Sequence, residues 1–323
     1  MHKRLFPHTL AMLLLAALAL LRPGPCPAAD NGPEAYLELD TGIGYFAPPE
    51  VTYVYSPASR DNDIKTGEDT TWGVGFKAGK VLRGLDWSED SLFGSAPRLE
   101  LAFRYDDYDE RKRNILPPNA ADPAAGYGAT GPWSGGVWDY KQEIGSNAFW
   151  LGLRGSDEDG EAAFVPYLGV GYQRYTQDWR LNTLILGTYY NTFDSQLTAN
   201  SLGVRAGGDC RIGQRSGWQF TITPMVYANY VRADLDFHQS VTTALPVAVD
   251  DSMGMSFGSW GATLDFSATL PFDGGSYLKL TGGGVFNSRT PYGRPPTTSS
   301  GQAQIASGSS RAARAGIDFG WKF

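Results

Sequence analysis

The chain has 323 residues, with 34 acidic side chains against 27 basic ones and a formal net charge of −7. That acidic balance argues against nucleic acid as a partner. Two cysteines exclude a disulfide framework, and beyond the amino-terminal region no run reaches the roughly 18 apolar residues that a membrane-crossing helix needs.

The amino terminus is patterned as an export leader. His2, Lys3 and Arg4 are followed by the apolar run Leu10 to Leu21, then Arg22, several prolines and the small residues Ala28 and Ala29. This order predicts a signal peptide over residues 1–29, cleaved after Ala28 or Ala29, and a mature domain over 30–323. Pro25 ahead of Cys26 disfavours a lipid anchor, because that signal needs a small residue there. Cleavage would remove Lys3, Arg4 and Arg22 and no acids, taking 27 bases to 24 against 34 acids, a net charge of about −10. The mature chain would keep Cys210 alone.

From residue 35 onward, segments of strict period two recur. The first sets Leu37, Leu39, Thr41, Ile43 and Tyr45 against Glu38, Asp40, Gly42 and Gly44. The second sets Trp72, Val74, Phe76 and Ala78 against Gly73, Gly75, Lys77 and Gly79. The third opposes Leu99, Leu101, Phe103 and Tyr105 to Glu100, Ala102, Arg104 and Asp106; the fourth opposes Phe149, Leu151 and Leu153 to Ala148, Trp150 and Gly152. The fifth has Leu168, Val170 and Tyr172 on one face, and the sixth Leu202, Val204 and Ala206 against Arg205 and Asp209. Trp218, Phe220, Ile222 and Val226 mark the seventh, Trp260, Leu264 and Phe266 the eighth against Asp265, and Leu278 and Leu280 the ninth around Lys279. The tenth closes the chain: Ile317, Phe319, Trp321 and Phe323 alternate with Asp318, Gly320 and Lys322.

Ten alternating segments, 40 glycines and 13% aromatics predict an all-β fold, a transmembrane antiparallel β-barrel of about ten strands. In lipid only helices and closed barrels satisfy every backbone group. Connectors 155–162, 213–217 and 271–276 are short, whereas 47–70, 111–138, 180–197, 233–257 and 288–309 are long. This is the alternation of periplasmic turns and outer loops. Val51, Tyr53, Tyr55 and parts of Leu184 to Phe193 also alternate, which leaves eight or twelve strands as alternatives. A secreted β-sandwich would share the alternation but not the loop pattern.

On these grounds, and through the aromatic carboxy terminus at Phe319, Trp321 and Phe323, the chain resembles small bacterial outer-membrane barrels. The resemblance implies insertion by the barrel-assembly machinery, which reads such a closing strand, in a membrane of lipid and lipopolysaccharide. No cofactor or metal is expected, since histidine and cysteine clusters are lacking in the sequence.

The inward phase carries a charge set: Glu38, Asp40, Lys77, Glu100, Arg104, Asp106, Arg205, Asp209, Arg211, Asp265, Lys279, Asp318 and Lys322. In a narrow barrel these would pair across the lumen and seal it, or line a narrow solute pore. At the outer rim, Asp107 and Asp109 end the third segment, and Asp236 and His238 end the seventh. An Asp pair facing an Asp-His pair across the mouth of a ten-stranded barrel resembles the omptin proteases, whose His–Asp pair activates a water. Strand phase opposes that reading, because all four residues share the outward, lipid-facing parity. The expectation is therefore a non-enzymatic surface protein whose loops meet an extracellular ligand, with a narrow channel and an omptin-like endopeptidase as alternatives. The stretch from Tyr127 to Tyr140, with Trp133 and Trp138, is a candidate loop either for gripping a partner or a sugar or for folding over the barrel mouth.

Overall fold

The computed structural model describes residues 35–50, 52–54, 64–65, 67–82, 91–94, 96–115, 137–155, 163–185, 188–241, 247–294 and 303–323. The expected leader with Cys26, and most of the stretch from Tyr127 to Tyr140, lie outside them.

Among the described residues twelve strands follow in order: β1 (Ala35–Ala47), β2 (Thr52–Val54), β3 (Ile64–Lys65), β4 (Asp69–Val81), β5 (Arg98–Ile115), β6 (Val137–Arg154), β7 (Phe164–Ile185), β8 (Thr188–Arg215), β9 (Trp218–Val241), β10 (Val247–Pro271), β11 (Ser276–Arg294) and β12 (Gln304–Lys322). β1 and β4 to β12 close an antiparallel barrel of ten strands, while β2 and β3 form a separate small hairpin. Each barrel strand pairs with the next along the chain, and β12 pairs with β1. Reciprocal backbone bonds between Ala35 and Phe323, at 3.2 and 2.8 Å, complete the seam at the two ends. All ten alternating segments lie in these ten strands. The β8–β9 hairpin turns at Ser216 and Gly217, with φ of 51° and 83°, the left-handed pair that a two-residue hairpin requires.

On most of the lower barrel the residues of the predicted outward phase are exposed, whereas Phe76, Ala78, Leu101 and Phe103, on the same phase of β4 and β5, are buried together. Ile43, Leu168, Val170, Leu202, Val204, Val226, Trp260, Leu264 and Ile317 are exposed on the outer wall, an apolar belt that only lipid can cover. Tyr45, Trp72, Tyr172, Tyr230 and Trp260 stand exposed towards its upper edge, and Phe164, Phe272, Trp321 and Phe323 at its lower edge. These are the aromatic girdles of an outer-membrane-type barrel.

Two expected loops are corrected. Residues 180–197 and 233–257 are not long connectors, because β7 and β8 run through the first and β9 and β10 through the second. Tyr140, at the end of another expected loop, belongs to β6. The reason is an inversion of the pattern partway up each strand. On β9, Val226 and Tyr230 point outward below, while Arg232, Asp234 and Asp236 occupy the same outward phase above and are exposed. Inward, Thr223, Tyr227 and Asn229 give way to Val231, Ala233, Leu235 and Phe237, all buried. The alternation never stops, but its apolar face changes sides where the strand leaves lipid for water. With 28 residues in β8 and roughly 10 needed to cross the membrane, about 18 of its residues lie outside the bilayer.

Glycine on the inner wall makes room for rings. A Cβ on Gly171 would lie 2.2 Å from the Trp150 ring, and one on Gly320 would lie 2.0 Å from the Tyr277 ring. Each aromatic lies flat over a glycine of the neighbouring strand, where a larger residue would force it away.

Candidate functional site

The lumen is filled in layers. In the lowest, Glu38 of β1 accepts from Lys77 Nζ (3.3 Å), Lys279 Nζ (3.0 Å) and the Tyr277 hydroxyl (2.9 Å). Lys279 also lies 3.5 Å from Asp318. Beside this cluster Arg154 donates to both Glu100 oxygens, at 2.7 and 3.1 Å, and to Asp209 at 2.5 Å. Tyr36 adds a bond to Glu100 (2.5 Å) and Thr223 one to Asp209 (2.7 Å). Lys322 reaches over the Tyr277 ring at the lower mouth, beside the chain's carboxy-terminal end.

Above it, Arg104 bridges Asp40 (2.7 Å) and Asp106 (2.8 Å), and Arg314 holds both oxygens of Asp265 (3.0 and 3.1 Å). Arg205 lies against the rings of Trp150 and Tyr167, 5.2 Å from each centroid. Its Nε is buried and has no hydrogen-bond partner among the described residues. These contacts skip strands: Arg154 of β6 reaches Asp209 of β8, and Arg314 of β12 reaches Asp265 of β10. Cross-lumen pairing of this kind keeps buried charges compensated.

The upper layer is apolar. Tyr108, Tyr140, Ile144, Tyr175, Trp179, Leu181, Phe193, Leu197, Val231, Leu235, Phe237 and Phe257 form one buried cluster inside the projecting wall. Trp179 meets Phe193 edge to face at 5.1 Å, and Phe193 stacks with Phe237 at 6.2 Å. Some buried polar groups there are bonded, Glu110 accepting from the Tyr108 hydroxyl and Gly67 N at 3.0 Å each, while Gln142 Nε2 and the Tyr175 hydroxyl have no hydrogen-bond partner among the described residues. Gln177 of β7 accepts from Gly293 N of β11, 3.0 Å away across the lumen.

The expected lumen charges thus gather into a paired network, with Glu38, Asp40, Lys77, Glu100, Arg104, Asp106, Asp209, Asp265, Lys279 and Asp318 all in direct ion pairs. Sequence reasoning missed Arg154 and Arg314, although both lie on the inward phase and the same parity rule finds them. The aromatic members Tyr36 and Tyr277 carried no charge signal.

The rim residues are placed differently. Asp107 and Asp109 lie on the outer face of β5, and Asp236 and His238 on that of β9. Three strands separate the two pairs, a distance of roughly 19 Å around the wall at ordinary strand spacing. His238 Nδ1 meets Asp250 Oδ1 at 2.6 Å, its in-register neighbour on β10, and Asp194 of β8 flanks it on the other side. Asp194 is itself paired with Arg180, and Lys141 with Glu143. The Glu143 hydrogen bond holds the Lys141 ammonium above its usual value. These groups line an open groove of about 860 Å³ on the water-facing wall. Among the described residues, Asp107 and Asp109 do not face His238 across a cleft.

No family model and no curated protein matches the chain. Among solved structures it is similar to the outer membrane protease OmpT from Escherichia coli, at TM-score 0.49 and 8% identity over 92% of this chain and 99% of that one. It is also similar to the translocator domain of the autotransporter NalP from Neisseria meningitidis, at TM-score 0.44 and 10% identity over 98% and 97%. A third is the transport unit of the autotransporter AIDA-I from Escherichia coli, at TM-score 0.36 and 9% identity over 97% of each chain.

Proposed function

We propose that the protein is a non-enzymatic surface protein of the bacterial outer membrane, a closed barrel that carries a rigid platform and its loops above the lipid for contact with an extracellular partner. One observation carries the reading: the strands continue past the apolar belt and pack a water-excluding core inside themselves. A diffusion pore has no use for such a core, and a proteolytic cleft would need that space. The ion-pair network beneath gives a second closure, since removing either layer alone leaves the other across the lumen. The leader over residues 1–29 would direct export, and the termini would lie on the periplasmic side.

The reading is tested in planar bilayers. Pure protein is expected to give no stepwise current at any voltage that leaves the membrane intact, whereas regular unitary steps would establish a channel instead. Assembly is tested separately. Phe323 is exposed at the end of β12, where the barrel-assembly machinery and lipid would meet it. Deleting it is expected to lower the amount of heat-modifiable, folded barrel in outer-membrane fractions several-fold. Unchanged yield would remove its role as an assembly signal.

A further inference from the structure

The ladder between β10 and β11 stops at Gly261 and Asn287, while β10 stays paired with β9 as far as Val247 and Val241. Above that fork the two strands part. β11 bulges between Asn287 and Thr290, continues with β12 and leans into the lumen, where Gly293 N reaches Gln177. Two serines close the fork. Trp260 N donates to Ser288 Oγ (3.0 Å), and Ser259 Oγ donates to the Arg289 carbonyl (2.9 Å).

The two edges released there differ. On β11 the Arg289 carbonyl is bonded, Pro291 has no N–H to offer, and Gly293 N is held by Gln177. On β10 the Trp260 bond shows which residues turn their N–H and C=O towards the edge. Backbone groups alternate sides along an antiparallel strand, so Gly258, Ser256, Gly254 and Ser252 share that direction. Ser252 N is held by Asp251 Oδ1 at 2.8 Å. The edge-facing groups of Gly254, Ser256 and Gly258 have no partner among the described residues. Proline, lysine and bulges ordinarily guard such an edge, and the stretch from Asp250 to Trp260 has none of them. N–H and C=O groups that recur at every second residue match another extended backbone. The side chains narrow the choice. Met253 and Met255 lie inward against the upper core, and the charges of the stretch are Asp250 and Asp251, both acids.

We propose that the projecting edge of β10, at Gly254, Ser256 and Gly258, takes an extended segment of an extracellular protein as an added strand. Apolar residues of that segment face Met253 and Met255, and a lysine or arginine lies near Asp250 and Asp251. The proposal rests on the surface-protein reading and gives it a docking edge.

Amide hydrogen exchange of the protein purified in detergent reads the edge directly. Gly254, Ser256 and Gly258 should exchange fast, and Met255 and Phe257, bonded to β9, slowly. The probe is a synthetic peptide that alternates valine with threonine and carries lysine at each end. By fluorescence anisotropy it should bind saturably, and it should slow the three edge amides. N-methylating its valine amides or its threonine amides, whichever set faces the edge, should weaken binding about ten-fold, the upper range for one neutral hydrogen bond. Ser256→Pro removes an edge N–H and leaves the β9 ladder intact, and should weaken it by a similar factor. Should that variant not fold, the N-methylated peptides decide on the unaltered protein. A peptide with glutamate in place of lysine should bind more weakly. Edge amides protected in the free protein, absence of saturable binding, full binding by both N-methylated peptides, or tighter binding of the glutamate peptide would each overturn the proposal. None of these outcomes depends on conductance, so the two readings fail separately.

Discussion

Replacing Arg154 with methionine is expected to destabilise the barrel by about 3–5 kcal/mol, the cost of leaving buried charges without their partner. Arg154 makes three hydrogen bonds to two carboxylates and lies 5.1 Å over the Tyr167 ring. Glu100 is 1% exposed, so its carboxylate has no water to turn to when the guanidinium goes. Methionine keeps much of the volume, which separates the charge effect from a cavity effect. The double variant Arg154→Met with Glu100→Gln should recover a large part of the loss, because it removes an uncompensated charge rather than adding one. Urea unfolding in lipid vesicles measures both. A single-variant loss below about 1 kcal/mol, the range of exposed pairs, would mean that the network is solvated and the lower closure is not a closure.

The second large effect concerns β9, where neighbouring residues should respond in opposite ways at different heights. Leu235 is fully buried among aromatics. Leu235→Asp places a carboxylate there without a partner and is expected to cost about 4 kcal/mol or more. Asp236, the next residue, is exposed on the outer wall, and Asp236→Leu should change stability by less than about 0.5 kcal/mol. Ten residues lower on the same outward phase, Val226 is 61% exposed on the apolar belt. Val226→Arg is expected to cost about 2–4 kcal/mol near the middle of the bilayer. The same unfolding measurement reads all three. Equal costs at Asp236 and Val226 would show that the outer wall meets one medium throughout, and the inversion of the pattern would lose its physical cause.

That inversion marks what reading along the chain could and could not reach. Val204 and Ile317 were identified as lipid-facing because each stands in a run with one apolar face, and the structure places them there. The same rule passed over Leu235 and Phe237. Their apolar phase is opposite to that of Val226, so a search for one continuous apolar face reads the stretch from 233 to 257 as a loop. Period two reports which residues share a face, but not which medium the face meets. The charge set was legible for a related reason: a carboxylate or lysine on the phase opposite an apolar face has only the lumen to enter. The pairings were not, since Arg154 meets Asp209 and Arg314 meets Asp265 across an intervening strand, and no local spacing encodes a contact across a barrel.

His238 makes the same point at the rim. Its parity placed it outward, which the structure bears out, but its partner is Asp250 from the next strand rather than Asp236 two residues away. The choice came from the β9–β10 register, which sets His238 directly opposite Asp250.

By itself, the sequence determined the class, a barrel of about ten strands with eight or twelve left open, most of the faces within the membrane and the charged lumen, because each follows from alternation over a few residues. Tertiary structure decided how high the wall rises, that its upper interior is a packed core, which charges pair, and where β11 parts from β10. Those features depend on closure, which brings residues from strands far apart in the chain to one level of the lumen, where only their joint packing determines which of them meet.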